Sequence, residues 1–252
     1  MTKLRANKRG FTLIELVLVL VVAGILSSIA ISKINSNSLI LAARSLSQDI
    51  YILRNLALNY DIYDYTTNYD KSYWQIYFHC VANTKTSYNK YKCNHQEFGY
   101  SIFSDSIGSS SSNPDANELA KDLFDKTKLI GARYAGISVD DNLLTTRTNL
   151  TKSFGITKID VFYNLNNKYK KTHRIMVNEL GELFASSYAN KSKTYNLIKA
   201  NSYIIRLSKS TNIDQNNSIC IVINNVGFTT IPKNNNGQLI SNIKKPIYCH
   251  NL

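Results

Sequence analysis

The sequence contains none of the short signatures that build a catalytic centre: no GxSxG nucleophile elbow, no HExxH zinc helix and no GxxxxGK phosphate loop. Their absence sets aside the serine hydrolases, zincins and P-loop enzymes. Neither CxxC nor HxxxH occurs, so zinc-finger spacing is missing too. Acidic residues run short toward the end of the chain. After Glu182 the only one is Asp214, too few hard oxygen donors for a calcium cage in that region. The paired acids elsewhere, Glu179 with Glu182 and Asp140 with Asp141, read as turn and surface residues rather than as a general acid and base. No internal repeat is present. The expectation is a protein that is not an enzyme and needs neither cofactor nor resident metal.

What is there is unevenly distributed. Hydrophobic residues make up 44% of the chain, enough for a domain core. One segment, Phe11 to Ile31, is almost wholly apolar, while the remainder is rich in Asn, Lys, Ser and Tyr. The net charge is +13, of which Lys3, Arg5, Lys8 and Arg9 supply four ahead of the apolar segment. The rest is still basic. Codon bias toward Lys, Asn, Ile and Tyr accounts for this as well as an anionic partner does, whether nucleic acid or lipid head groups.

The 21 residues from Phe11 to Ile31 carry one charge, Glu15. At about 1.5 Å per residue they match a bilayer core of roughly 30 Å, so a transmembrane helix is predicted over residues 11–34. Basic residues before it, with no acid among the first ten residues, place the N-terminus in the cytoplasm and the following chain on the far side of the inner membrane. A secretory signal has its apolar core before the cleavage point. Here the basic tract runs into Gly10 and the apolar run follows it, so cleavage at Gly10 would remove the charges and keep the helix.

The stretch KRGFTLIELVLVLVVAGILSSIAI resembles the N-terminus of type IV prepilins and of type II secretion pseudopilins. The resemblance implies a leader over residues 1–10, cut after Gly10 by a prepilin peptidase. It also implies an N-methylated Phe11 and an assembly glutamate at Glu15. The implied partners are other pilins or pseudopilins, the inner-membrane assembly platform and membrane lipid. Many relatives have proline where this chain has Ser32, so a proline break in the helix is not expected here.

Beyond Lys33, Leu39, Ala43, Leu46, Ile50, Leu53, Ala57 and Tyr60 recur at spacings of three and four. Arg44, Gln48, Asp49, Arg54 and Asn59 lie off that line. This periodicity predicts an amphipathic continuation of the helix over residues 35–60. From residue 61 to 252 the pattern turns to short alternating runs, predicting a β-rich periplasmic head. The clearest runs are Tyr73–Cys80, Phe98–Phe103, Ile156–Tyr163, His173–Val177, Tyr203–Leu207 and Ser218–Ile223. The last turns through Asn224, Asn225 and Gly227 into Phe228–Ile231, and NELGELF around Gly181 reads as a second turn. Residues 104–117, rich in Ser, Asn and Asp with Pro114, read as an exposed loop. The expected fold is α+β and pilin-like: a long N-terminal transmembrane helix packed on an antiparallel head of one sheet or two small ones.

Cys80, Cys93, Cys220 and Cys249 all follow the apolar segment, on the side where disulfides persist. Four cysteines allow three pairings. The shortest closures, Cys80 with Cys93 and Cys220 with Cys249, are preferred, each contributing about 3 kcal/mol on the chain-entropy model. A metal site is the competing reading, because His79, His95 and His250 lie near these cysteines.

Two functions follow. The first is a minor pseudopilin or minor pilin in a filament serving protein secretion or DNA uptake; the late runs YIIRLS and SICIVINNVGFTTI resemble the C-terminal part of H-type minor pseudopilins. The second is a competence pilin whose basic head contacts DNA through Lys191, Lys193, Lys199, Arg206, Lys209, Lys233, Lys244 and Lys245. Tyr188, Tyr195, Tyr203 and Tyr248 are then available to stack on bases.

Overall fold

The computed structural model describes residues 13–59, 73–81, 97–105, 117–134, 139–188, 195–211 and 217–232, with side chains left out at 28–37, 186–188 and 195–196. The chain divides into two compact units, residues 1–37 and 38–252. Helix α1, Leu13–Leu58, begins in the first and ends in the second. The predicted boundary between helix and head at residue 60 therefore falls inside the second unit, where the amphipathic half of α1 is part of the head itself.

In that unit α1 buries the predicted line. Leu39, Ala43, Leu46, Ile50, Leu53 and Ala57 are in the core, joined by Ala42 and Ile52; Tyr60 lies outside the described residues. One expectation fails. Asp49, read as off the apolar line, is fully buried. It stands three residues after Leu46 and four before Leu53, so helical geometry puts it on their face.

Among the described residues ten strands follow α1, in two five-stranded antiparallel sheets. They are β1 Trp74–Cys80, β2 Phe98–Ser104, β3 Lys158–Leu165, β4 Lys168–Thr172, β5 Arg174–Val177, β6 Leu183–Tyr188, β7 Tyr195–Lys199, β8 Ser202–Ser208, β9 Ser218–Ile223 and β10 Thr229–Thr230. The first sheet runs β2-β1-β5-β6-β7 and the second β10-β9-β8-β3-β4. The fold is thus α+β with antiparallel sheets, in the two-sheet form of the expectation.

Period-two alternation builds the common core. Ile76, Phe78, Ile175 and Ala185 of the first sheet share one cluster with Val161, Tyr163, Tyr203, Ile205, Leu207, Ile219, Ile221 and Ile223 of the second. The buried face of α1 belongs to the same cluster. Turn chemistry fixes the hairpins. Asn166 and Asn167 both take positive φ, 50° and 61°, which is the two-residue turn that suits the twist of β3 and β4. The predicted Asn-Gly hairpin is present between β9 and β10, with Gly227 at φ 82°. The Gly181 turn joins β5 to β6, where Asn178 Oδ1 accepts from the Leu180 and Glu182 amides at 3.1 and 2.8 Å.

Three strands, β4, β6 and β7, were not among the predicted runs. A five-residue helix, α2 Leu150–Phe154, is also new; Asn149 Oδ1 caps it by accepting from the Lys152 amide at 3.0 Å, and Gly155 ends it at φ 72°. Of the predicted loop at 104–117, residues 106–116 lie outside the described residues.

Candidate assembly segment and the head that carries it

Helix α1 from Leu13 to Ser27 is apolar on every side and every one of these residues is exposed. Leu13 and Ile14 are 82% and 76% accessible, and Leu16 through Leu26 continue the pattern. A soluble helix with one buried stripe does not look like this; an all-round apolar helix is one made to be covered. Its only ionisable residue is Glu15, in the first turn, where the positive end of the helix dipole favours a carboxylate. Ser27 turns its hydroxyl inward and donates to the Ala23 carbonyl at 2.7 Å, so the hydroxyl is satisfied without solvent. Gly24 has open space around it, leaving room for a neighbouring helix to approach.

Among the described residues no helix is long and apolar enough to cross a membrane. The leader, Gly10 and Phe11 lie outside the described residues.

The head grips its half of α1 through a buried polar knot. The Tyr100 hydroxyl donates to Asp49 Oδ2 at 2.6 Å. Arg147 donates from Nη2 to Asp49 Oδ1 at 2.9 Å and from Nε to Oδ2 at 3.1 Å. The same guanidinium reaches Asp122 and, at 2.9 Å, the Thr145 hydroxyl. Burial, reinforced by the Asp49 charge, holds the Tyr100 phenol well above its ordinary value. Burial works against the charged forms of Asp122 and Arg147, but their mutual hydrogen bond wins: the carboxyl is lowered and the guanidinium raised. A second tie lies one turn on, where Arg54 Nε donates to the Val226 carbonyl at 2.8 Å and the guanidinium sits 4.9 Å from the Phe228 ring centre.

A serine–histidine pair, Ser101 Oγ and His79 Nε2 at 2.9 Å, is buried, with Ser101 wholly inaccessible. Burial lowers the His79 pKa to about 4, so the ring is neutral near pH 7. A cleft of about 520 Å³ is lined by Glu97, Arg133, Asp141, Asn149 and Lys152 among others. Of its polar groups, Arg133 pairs with Asp141 at 2.9 Å and Asn149 donates to Glu97 at 3.2 Å. The acid pairs read from the sequence sit in the Asn178–Glu182 turn and at a single-turn 3-10 helix, Asp141–Leu143. Glu182 accepts from Lys199.

Among the described residues no three His, Cys, Asp or Glu side chains converge as metal ligands. Cys80 and Cys220 are both disulfide-bonded. Cys93 and Cys249, and with them the predicted pairing, lie outside the described residues.

Of the candidate DNA-contacting cations, Lys199, Arg206 and Lys209 fall among the described residues. Arg206 is a correction: its side chain is only 10% exposed and it bonds Asp160, because it lies on β8 directly across from Asp160 of β3. Tyr203 is likewise buried and donates to the Phe184 carbonyl at 2.7 Å. Lys199 pairs with Glu182, and Lys209 is half-buried with its pKa lowered by burial. Lys191, Lys193, Lys233, Lys244, Lys245 and Tyr248 lie outside the described residues. Sequence reasoning missed Lys168, Lys170 and Lys171, which line β4, an edge strand of the second sheet.

Residues 5–31 match the profile of the prokaryotic N-terminal methylation motif, the signal of type IV pilins and pseudopilins. The motif implies processing by a prepilin peptidase and assembly with other pilins. Comparison with curated proteins and with solved structures gives no match.

Proposed function

We propose that this chain is a minor pilin or minor pseudopilin, made as a precursor and built into a filament of a type IV pilus-like or type II secretion-like machine. The observation that carries the proposal is the exposed, all-round apolar start of α1 with Glu15 in its first turn, inside the methylation motif. The protein is a structural subunit and not an enzyme.

Residues 11–34 anchor the precursor in the inner membrane, with Lys3, Arg5, Lys8 and Arg9 holding the leader at the cytoplasmic surface and the head in the periplasm. Cleavage after Gly10 removes those cations and frees an amine at Phe11. An ionised carboxylate at the centre of a bilayer costs at least about 2.5 kcal/mol, so Glu15 favours a site where a cation meets it. The Phe11 amine of an adjacent subunit is that cation, and the pairing sets the stagger between subunits. Without the leader, the four cations that held the N-terminus at the cytoplasmic surface no longer resist withdrawal of the helix from lipid into the filament.

Intact-mass measurement on protein from cells tests this directly. The expected species begins at Phe11 and carries one added methyl group. Recovery of the chain with residues 1–10 attached, in cells whose prepilin peptidase is active, overturns the proposal.

A further inference from the structure

Residues 118–132 run along the outer edge of β2 and cover it: Ile102 donates to the Ile130 carbonyl at 3.0 Å, Ala120 to Ile102 at 2.8 Å and Ala132 to Tyr100 at 2.9 Å. Within this cover Leu129 bridges Lys121 antiparallel and Leu144 parallel, with the Asp122 amide donating to Lys128 at 2.9 Å and the Leu129 amide to Leu143 at 2.7 Å. An antiparallel neighbour reverses direction and a parallel one does not, so the 122–128 turn and Leu143 come out at the same end of this small platform. Leu119 and Leu144 seat it by packing with Phe103 and Tyr134.

That end is apolar where water reaches it. Leu123 and Phe124 are 57% and 66% accessible and Leu143 is 47%, although Leu119 and Leu144 close by are buried. The turn is braced in this shape. Asp122 Oδ1 accepts from the Phe124 amide at 3.0 Å, Asp125 Oδ1 from the Thr127 amide at 3.0 Å, and the Lys128 amide donates to the Asp125 carbonyl at 2.8 Å. Cations surround it. Lys121 and Lys126 are exposed, and among the described residues neither ammonium meets an acid. Lys128 donates to the Asn142 carbonyl. Of the neighbouring acids, Asp122 is engaged by Arg147 and Asp141 by Arg133, which leaves Asp125 and Asp140 against the three lysines.

We propose that this tip is a lipid-binding site of the head, at which Leu123, Phe124 and Leu143 enter the interfacial layer of an anionic bilayer and Lys121, Lys126 and Lys128 meet its head-group phosphates. A bilayer surface offers the two chemistries in this order, anionic oxygens outside and acyl chains beneath. Lysine suits the role, because its stem lies along apolar groups while its ammonium stays at the level of the phosphates. Protein interfaces are instead depleted in lysine and set arginine beside their aromatic anchors. The bracing bonds hold the three apolar side chains outward already, so the turn does not have to reorganise to insert them. The inference concerns the head alone and holds whether or not the chain enters a filament.

The test uses the full-length chain reconstituted in vesicles of phosphatidylcholine, alone or mixed equally with phosphatidylglycerol. Phe124→Cys carries a bimane, a small fluorophore that shifts to the blue in apolar surroundings, and lipids with a nitroxide on the acyl chain quench it on contact. Lys168→Cys, on β4, is the control. Cys80 and Cys220 are disulfide-bonded, and the unsubstituted chain treated alike sets the labelling background. In the anionic vesicles the Phe124→Cys label is expected to shift and to be quenched, the Lys168→Cys label to do neither, and added salt to reverse the effect. Lys121→Gln and Lys126→Gln should each lower the ratio of inserted to free tip about fivefold while leaving thermal unfolding unchanged. Equal quenching of the Phe124→Cys label in the two lipid compositions overturns the proposal, as does quenching of the Lys168→Cys label that matches it. A blue shift without lipid quenching means that a protein covers the tip, and overturns it too.

Discussion

Asp49 and Arg147, 98 residues apart in sequence, meet at 2.9 Å, and the carboxylate is wholly buried while the guanidinium side chain is 22% exposed. Tyr100 closes the other side of the carboxylate. One acid in the middle of a helix therefore fastens that helix to β2 and to the segment before α2.

Removing the acid strands its partners. Asp49→Leu leaves a cation and a phenol in the interior and should lower stability by about 3 kcal/mol. Urea unfolding followed by Trp74, the chain's one tryptophan, measures it. Adding Arg147→Met should recover part of the loss, because the cation stranded by the missing Asp49 is removed with it, while Asp122 and the Tyr100 hydroxyl still lose their partners; an additive double variant contradicts the pairing.

Acid should weaken the fold in two steps. The folded His79 pKa is lowered to about 4 by burial, against an ordinary value of 6.5. Between these values the unfolded chain binds the extra proton. Its contribution is present in full above pH 6.5 and is lost as pH falls through 4, about 3 kcal/mol in all. His79→Gln should flatten stability against pH over that interval, and an unchanged slope refutes the assignment.

The second step lies lower. Burial opposes the charge on Asp160, but hydrogen bonds from Lys171 and Arg206 hold its carboxyl below the usual range. That stability is present above about pH 3.9 and lost as pH falls through the lowered value. In Asp160→Asn the fall below about pH 4 should shrink while the His79 step remains.

Gly99→Ala tests how tightly the β2 edge is covered. A Cβ there would lie 2.5 Å from Ala132 Cβ and 2.9 Å from the Thr148 carbonyl. Both obstacles are short or backbone, so the covering segment must shift, at about 2 kcal/mol or more. Hydrogen exchange should show earlier opening at Ile102 and Ala132, and unchanged protection means the cover yields freely.

Glu15→Val removes the one acid of the apolar segment. Processing at Gly10 should continue while filament-dependent secretion or DNA uptake falls to background. Full function with Val at this position contradicts the proposed subunit pairing.

Much of this was legible in the sequence. The spacing of Leu39 through Ala57 identified the buried face, and runs such as SICIVI and YIIRLS identified strands because apolar residues recur at period two. Asp49 was legible as well, since Leu46 and Leu53 fix its direction, but its polarity suggested solvent. β4 was not, because KYKKT has the composition of a loop and becomes a strand through the Asn166–Asn167 turn and its pairing with β3. Nor was the partner of Asp49, because Arg147 arrives through a tertiary contact that no local pattern encodes. Arg206 was misassigned for the same reason: its neighbour on the next strand, Asp160, is 46 residues away in sequence.

The two arginine ties also have a mechanical meaning. Asp49 and Arg54 lie about 7.5 Å apart along the helix axis, and each is bonded to a different part of the head. A force drawing the helix lengthwise would load both ties together in shear, so the head would be dragged along as a unit instead of peeling away from one end.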